Sequence, residues 1–271
     1  HGGNDIENGP EKVAKIIKEI NPDIILMVET YGSGPFIADY LNCNFHLVAS
    51  KNTSLNDPSV NLSIFSKFPF GKRIDTEYPF YLGGIEIPIN GKIIRFFSNW
   101  FHYLPWNNEP EKMGKSVEEL LEWEKTESRH EMIQKVLPYL KKFANETDSI
   151  PMIFGGDMNS LSHLDWTNKT KTIHNNLVVP WNATEILADL GLIDSYRKEN
   201  PNPITHPGVT WDKKGRKDSH RIDYIFYKGK SIKSIKSNSY NAYFNESIII
   251  NDKQIPYPSD HGIVVTTFEF R

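Results

Sequence analysis

The chain has 271 residues, 38% hydrophobic and 24% charged, which fits one large α/β domain able to bury a core without disulfide or metal staples. A net charge of -3 provides no global positive field, so tight non-specific nucleic-acid binding is not expected, although an acidic total can hide a local basic groove. The single cysteine, Cys43, excludes an intramolecular disulfide and a cysteine-rich zinc site.

No repeat, linker or shift in composition divides residues 1–271, so a single domain is expected. Asn8-Gly9-Pro10 opens a helix whose Val13, Ile16, Ile17 and Ile20 share one face, and Asn21-Pro22 stops it. Asp23 to Val28 is a continuous apolar run, the pattern of a strand buried on both faces. Strands are expected at Phe45 to Ala49, Asn61 to Ser66, Ile85 to Ile89 and Ile93 to Ser98, the last two joined by a hairpin turn at Asn90-Gly91. Ser116 to Phe143 reads as helix with a break near Pro138. A strand from Pro151 to Phe154 then runs into Gly155-Gly156-Asp157, and Trp181 to Leu190 forms a helix ended by Gly191. Strands at Arg221 to Tyr227, around Ser231 to Tyr240, and at Gly262 to Phe270 complete the chain. Hairpins alternating with helices predict two packed sheets covered by helices.

Polar residues stand where the apolar strands end. Glu29 ends the first, His102 follows the strand through Phe96 and Phe97, Asp157 and Asn159 follow the glycine pair, and Asp260-His261 precedes the last strand. Asp223 sits inside an apolar strand, where an unpaired charge is costly. Taken singly, each residue has an ordinary explanation: a loop carboxylate, a turn Asp-x-Asn, a structural histidine, or an Asp223–Arg221 pair. Taken together, five such sites carry groups competent to bind metal or phosphate, and oxygen donors without a His/Cys cluster suit Mg²⁺, or Mn²⁺, better than zinc.

The segments NPDIILMVET, MIFGGDMNS, RIDYIFY and SDHGIVV, in that order from Asn21 to near the C-terminus, resemble four motifs of the endonuclease/exonuclease/phosphatase superfamily. That superfamily includes deoxyribonucleases, abasic-site endonucleases, neutral sphingomyelinases, deadenylases and inositol-polyphosphate 5-phosphatases. The resemblance implies a deoxyribonuclease-I-like fold, a four-layer sandwich of two packed mixed β-sheets flanked by helices. It also implies a strand bearing an asparagine just before His1-Gly2-Gly3. Asn4 and Asn8 lie too late to replace that residue, so one sheet is expected to lack its first strand.

The implied activity is divalent-metal-dependent phosphoester hydrolysis by water attack on phosphorus, with phosphodiesters favoured over monoesters and Mg²⁺ the expected ion. Glu29 becomes the principal metal ligand, with Asp260 beside the metal. Asp157 activates the water, Asn159 positions it or the phosphate, Asp223 orients His261, and His261 and His102 contact the phosphate from two sides. His163 and Trp106 are candidate substrate contacts, the first because Ser162 to Trp166 follows the Asp157 motif, the second because Trp100 to Trp106 could form an aromatic wall. Thr210-Trp211-Asp212-Lys213 only grazes the signature of the 5-phosphatases and counts against an inositol substrate.

Two other readings stay open: an inactive family member serving as a binding module, and a sphingomyelinase-like lipid phosphodiesterase using an exposed segment Tyr78 to Leu82. A monomer without a transmembrane segment is expected. Asn-x-Ser/Thr acceptor patterns begin at Asn52, Asn61, Asn145, Asn168, Asn182 and Asn245 and fit an exported protein, although chance supplies roughly half of them.

Overall fold

A computed structural model describes every residue except Asp5, 212–219 and 243–245. Asp212, Lys213 and the acceptor Asn245 therefore lie outside the described residues.

The first element, α1 (Gly9–Ile20), has Pro10 in its first turn and ends at Asn21 in the left-handed conformation. It is followed by β1 (Ile24–Met27), α2 (Gly34–Leu41), β2 (Asn44–Leu47), β3 (Ser63–Ser66), β4 (Arg73–Ile74), β5 (Leu82–Ile89) and β6 (Lys92–Trp100). Next come α3 (Val117–Glu124), α4 (Ser128–Asn145), β7 (Met152–Asp157), α5 (Asn182–Asp189), β8 (Ile193–Asp194) and α6 (Ser195–Glu199). The chain closes with β9 (Asp223–Lys228), β10 (Ile232–Tyr240), β11 (Ser247–Ile250), β12 (Lys253–Pro256) and β13 (Ile263–Phe270).

One sheet has six strands in the order β4-β5-β6-β7-β9-β8, with β6 and β7 parallel and the other pairs antiparallel. The opposing layer contains β1-β3-β2 and β10-β13, and β11-β12 forms a separate hairpin. Alternation along each strand builds the layers. Phe96, Ile153 and Ile94 point inward against Leu62 and Ile64. Their neighbours Phe97, Phe154 and Phe226 point outward under Met132, Val136 and Leu140 of α4 and Leu187 of α5. On the far side, Val13 and Ile17 of α1 and Ile37 of α2 cover Met27 and Phe65. The result is the four-layer mixed sandwich that the motifs imply.

Among the described residues no strand joins β1 to β13. The two edges instead flank a cavity of about 560 Å³ lined by Leu26, Ile153, Ile225 and Val264, which reaches Asp223 and His261. This corrects the sequence reading of β1. Ile24 to Leu26 are half-buried rather than enclosed on both faces, because one edge of the strand opens on that cavity.

The expected helix break also moves. It falls at 125–127, where Lys125 caps α3 and Glu127 is extended, while Pro138 lies inside α4. Pro138 is on the solvent-facing side, as is Gln134, whose carbonyl it leaves without an intrahelical donor. No helix among the described residues is long and apolar enough to cross a membrane. The segment Tyr78 to Leu82 is a turn leading into β5. Only Phe80 of the five is exposed and Leu82 is fully buried, so it offers no continuous apolar surface. Asn61 is also fully buried, which removes it as a glycan acceptor.

Candidate active site

The site begins where β7 ends. Gly156 has φ 151°, and a Cβ placed there would lie 1.9 Å from the carbonyl oxygen of Asn99, so only glycine lets β7 run this close to β6. Asp157 follows, with Trp100 beside it on β6 and Asp223 directly opposite on β9. Two carboxylates facing each other across a sheet repel. Burial, and then the charge of Asp223, hold Asp157 well above the usual carboxylate pKa.

Asn159 clamps Asp157. Its backbone N–H donates to Oδ1 at 2.7 Å and its side-chain Nδ2 to Oδ2 at 2.6 Å, while Nδ2 also reaches the Phe101 carbonyl at 2.8 Å. Asn159 sits at φ 47°, a conformation asparagine tolerates better than most side chains. On the facing side, Nδ1 of His261 lies 3.1 and 3.3 Å from the two oxygens of Asp223. Burial alone would lower the His261 pKa, but Asp223, followed by Asp157 and Asp260, outweighs it and carries the value up to about 10. The sequence left open an Asp223–Arg221 pair, and the structure removes it. Arg221 binds Asp165 at 2.8 Å and Asp194 at 2.6 Å, leaving Asp223 to the histidine.

One ligand atom each of Asp157, Asp223 and His261 falls within a 4.8 Å group, a candidate acidic metal site. The donor chemistry fits a hard divalent cation, because two opposed carboxylates need positive charge beyond one imidazolium. Glu29 and Asp260 stand outside this group. Glu29 has φ 50° and its N–H donates to Asn61 Oδ1 at 2.8 Å. Its carboxylate lies 3.3 Å from His1 Nε2, and its charge is felt at Asp157. Asp260 is half-buried, and its charge raises His261.

His102 is tied in through the backbone, since the preceding Phe101 donates its N–H to the Asp157 carbonyl and accepts from Asn159. The aromatic stretch divides. Tyr103 is 50% exposed and stacked on His102 at 4.3 Å, whereas Trp106 turns edge-on to Trp211 and His220. His163 is not brought into the acidic group. Its Nδ1 pairs with Thr184 on α5 at 2.8 Å, and burial lowers its pKa.

Sequence reasoning missed the supports. Asn61, which holds the Glu29 backbone N–H, resembled only a strand start and a glycan acceptor. Arg129 donates to the carbonyls of Tyr103 and Asn159 and lies 3.6 Å from buried Glu124. Arg197 joins Arg221 on Asp165, so Ser162 to Trp166 mainly builds an ion network and a packed loop. An arginine two positions before Asp223 was visible in the sequence, but its partners are distant along the chain.

A sandwich of a mixed six-stranded sheet against an antiparallel layer, with carboxylates and a paired histidine gathered at its strand ends, defines a phosphoesterase-like protein of the deoxyribonuclease-I-like fold. The chain belongs to the Endonuclease/Exonuclease/phosphatase family, whose model matches residues 2–261. It is 28% identical to an uncharacterized Caenorhabditis elegans protein over 298 residues, covering 100% of this chain and 88% of that one. Among solved structures it is similar to a humanized D. rerio TDP2 carrying 14 mutations, with TM-score 0.61, 14% identity, and 96% and 90% of the two chains covered. It is also similar to a Bacteroides thetaiotaomicron mannosyl-6-phosphatase, with TM-score 0.58, 15% identity, and 95% and 89% covered. At such identities these structures establish a shared fold.

Proposed function

We propose that this chain is a Mg²⁺-dependent phosphodiesterase. The observation that carries the reading is the convergence of Asp157, Asp223 and His261 at one point, with His261 bonded to Asp223. A bound divalent cation would supply Lewis acidity toward the phosphoryl oxygens. Glu29, with Asp260 beside it, would hold the ion at this group, leaving Asp157 for the water and Asp223 for His261.

Asp157, with its pKa raised by burial and by Asp223, is suited to take the proton of the attacking water. Asn159 fixes the direction of that carboxylate through its two hydrogen bonds. His261, kept cationic by Asp223, donates from Nε2 to a non-bridging oxygen whose charge grows in the transition state. His102 donates to the phosphate from the other side, and His163 and Trp106 are more distant substrate contacts.

A diester is preferred to a monoester here for the aromatic surface beside His102. The exposed ring of Tyr103 offers a face to one substituent of a diester. Nothing in these contacts selects among nucleic-acid, nucleotide and lipid diesters.

The test is hydrolysis of bis-p-nitrophenyl phosphate against p-nitrophenyl phosphate with Mg²⁺, then Mn²⁺. Faster turnover of the diester is the expected result. Preference for the monoester would make the chain a phosphatase. No turnover of either, together with no Mg²⁺ binding by calorimetry, would favour the inactive binding module.

A further inference from the structure

We infer that Ser128, in the first turn of α4, is a positioning residue that holds His102 in the tautomer able to donate from Nε2 to a phosphoryl oxygen. One of the two contacts to the ring comes from a donor that cannot reverse its role. The backbone N–H of Leu104 points at His102 Nδ1 across 3.3 Å. An amide N–H only donates, so this contact favours an accepting Nδ1, but at 3.3 Å it is too long to hold that state alone. Ser128 Oγ lies 2.7 Å from the same nitrogen. Its hydroxyl is the one partner there whose hydrogen can rotate, and its donation completes the accepting state of Nδ1. A neutral imidazole has one N–H, which these two contacts leave on Nε2.

The ring cannot easily turn away. Tyr103 stacks on it at 4.3 Å, Trp100 meets it edge-on at 5.7 Å, and the His102 backbone N–H is held by Met132 Sδ at 3.2 Å. The same helix start fixes the neighbouring backbone. Arg129 donates its main-chain N–H to Leu104 O at 2.9 Å, and its guanidinium reaches the carbonyls of Tyr103 and Asn159. The break between α3 and α4 therefore has a use. It places a helix start, rather than a mid-helix surface, against the two loops that carry His102 and Asn159.

The tautomer assignment stands without any activity, and its consequence for turnover rests on the phosphoesterase reading above. The experiment records long-range ¹H–¹⁵N spectra of ¹⁵N-histidine-labelled protein for the wild type, Ser128→Ala and Ser128→Thr, with His102→Gln used to assign the signal. Turnover of bis-p-nitrophenyl phosphate with Mg²⁺ is measured on the same samples. The wild type and Ser128→Thr should show Nε2–H, while Ser128→Ala should show a mixed population.

Loss of one neutral hydrogen bond predicts about a three- to tenfold fall in kcat for Ser128→Ala, with KM little changed and the rate recovered in Ser128→Thr. Nδ1–H in the wild type would overturn the inference, as would an unchanged tautomer in Ser128→Ala. A shifted tautomer with unchanged kcat would overturn its catalytic part. If the wild type hydrolyses neither ester, the spectra still test Ser128, and the failure belongs to the functional reading.

Discussion

Replacing Asp223 with asparagine removes one charge while keeping the shape and the backbone bond from Asp223 N–H to Thr210 Oγ1 at 3.0 Å. Burial acts on His261 first and lowers its pKa, and Asp223 is the foremost opposing influence that brings it to about 10. Without that charge, the value should fall several units, toward or below the ordinary 6.5. The two side chains are 20% and 15% exposed, so the lost charge-assisted hydrogen bond is worth about 1.5–3 kcal/mol rather than a fully buried figure.

The pair's stability contribution has a definite sign with pH. A histidine whose folded pKa is raised gives its full contribution below the unfolded value near 6.5, and loses it as pH rises through about 10. The wild type should therefore exceed Asp223→Asn most in Tm at and below neutral pH, and the gap should close by pH 10. Turnover should fall about 10²–10⁴-fold, because His261 is then neutral and free to turn. Histidine NMR titration, thermal unfolding against pH and diester kinetics measure the three effects. Mg²⁺ calorimetry separates a lost ligand from a lost orienter: an unchanged Kd with lost turnover assigns the defect to His261. A His261 pKa still near 10, or turnover within threefold of wild type, would refute the reasoning.

Asp157→Asn should abolish diester turnover while holding or raising Tm, since it removes a buried carboxylate facing Asp223; unfolding curves and kinetics on one sample check both. EDTA should silence the wild type, with Mg²⁺ or Mn²⁺ restoring it, and activity indifferent to chelation would contradict the metal reading. Gly156→Ala should lower Tm and turnover together, because the added Cβ meets the Asn99 carbonyl oxygen at 1.9 Å. Arg221→Met should cost about 3–5 kcal/mol in denaturant unfolding, because it strands the buried carboxylate of Asp194.

The core layers were legible because each side of a strand keeps one destination. Phe96 faces the opposing sheet and Phe97 faces α4, and that alternation is written locally. The strand-end acids were legible for the same reason, since a polar residue closing an apolar run stands out against its neighbours. Elements defined by distant partners were not. β8 is two residues long and exists through its pairing with β9. The hairpin of β11 and β12 is held by Ile16 of α1 packing on Ile248, Ile250 and Ile255. α2 escaped notice because Gly34-Pro35 reads as a turn, although it supplies the helix's first turn. The helix break was misplaced because proline is a local signal, whereas the real break answers to Glu124 and Arg129 meeting Ser160 and Asn159 across the fold.

The same distinction separates the proposed reacting groups from what holds them. Asp157 and Asp223 are opposed by sheet register, a geometry that gives each carboxylate a like-charged neighbour and so opposes folding. Three kinds of support offset it: a glycine that admits the close strand, an asparagine that grips Asp157, and an imidazolium that neutralises Asp223. None of these adds a second full positive charge inside the group. The arrangement is thus one that gains stability from a cation, and divalent-metal binding should raise Tm in wild type by more than in Asp157→Asn. A site built only to cap strand ends would gain nothing from keeping two carboxylates face to face.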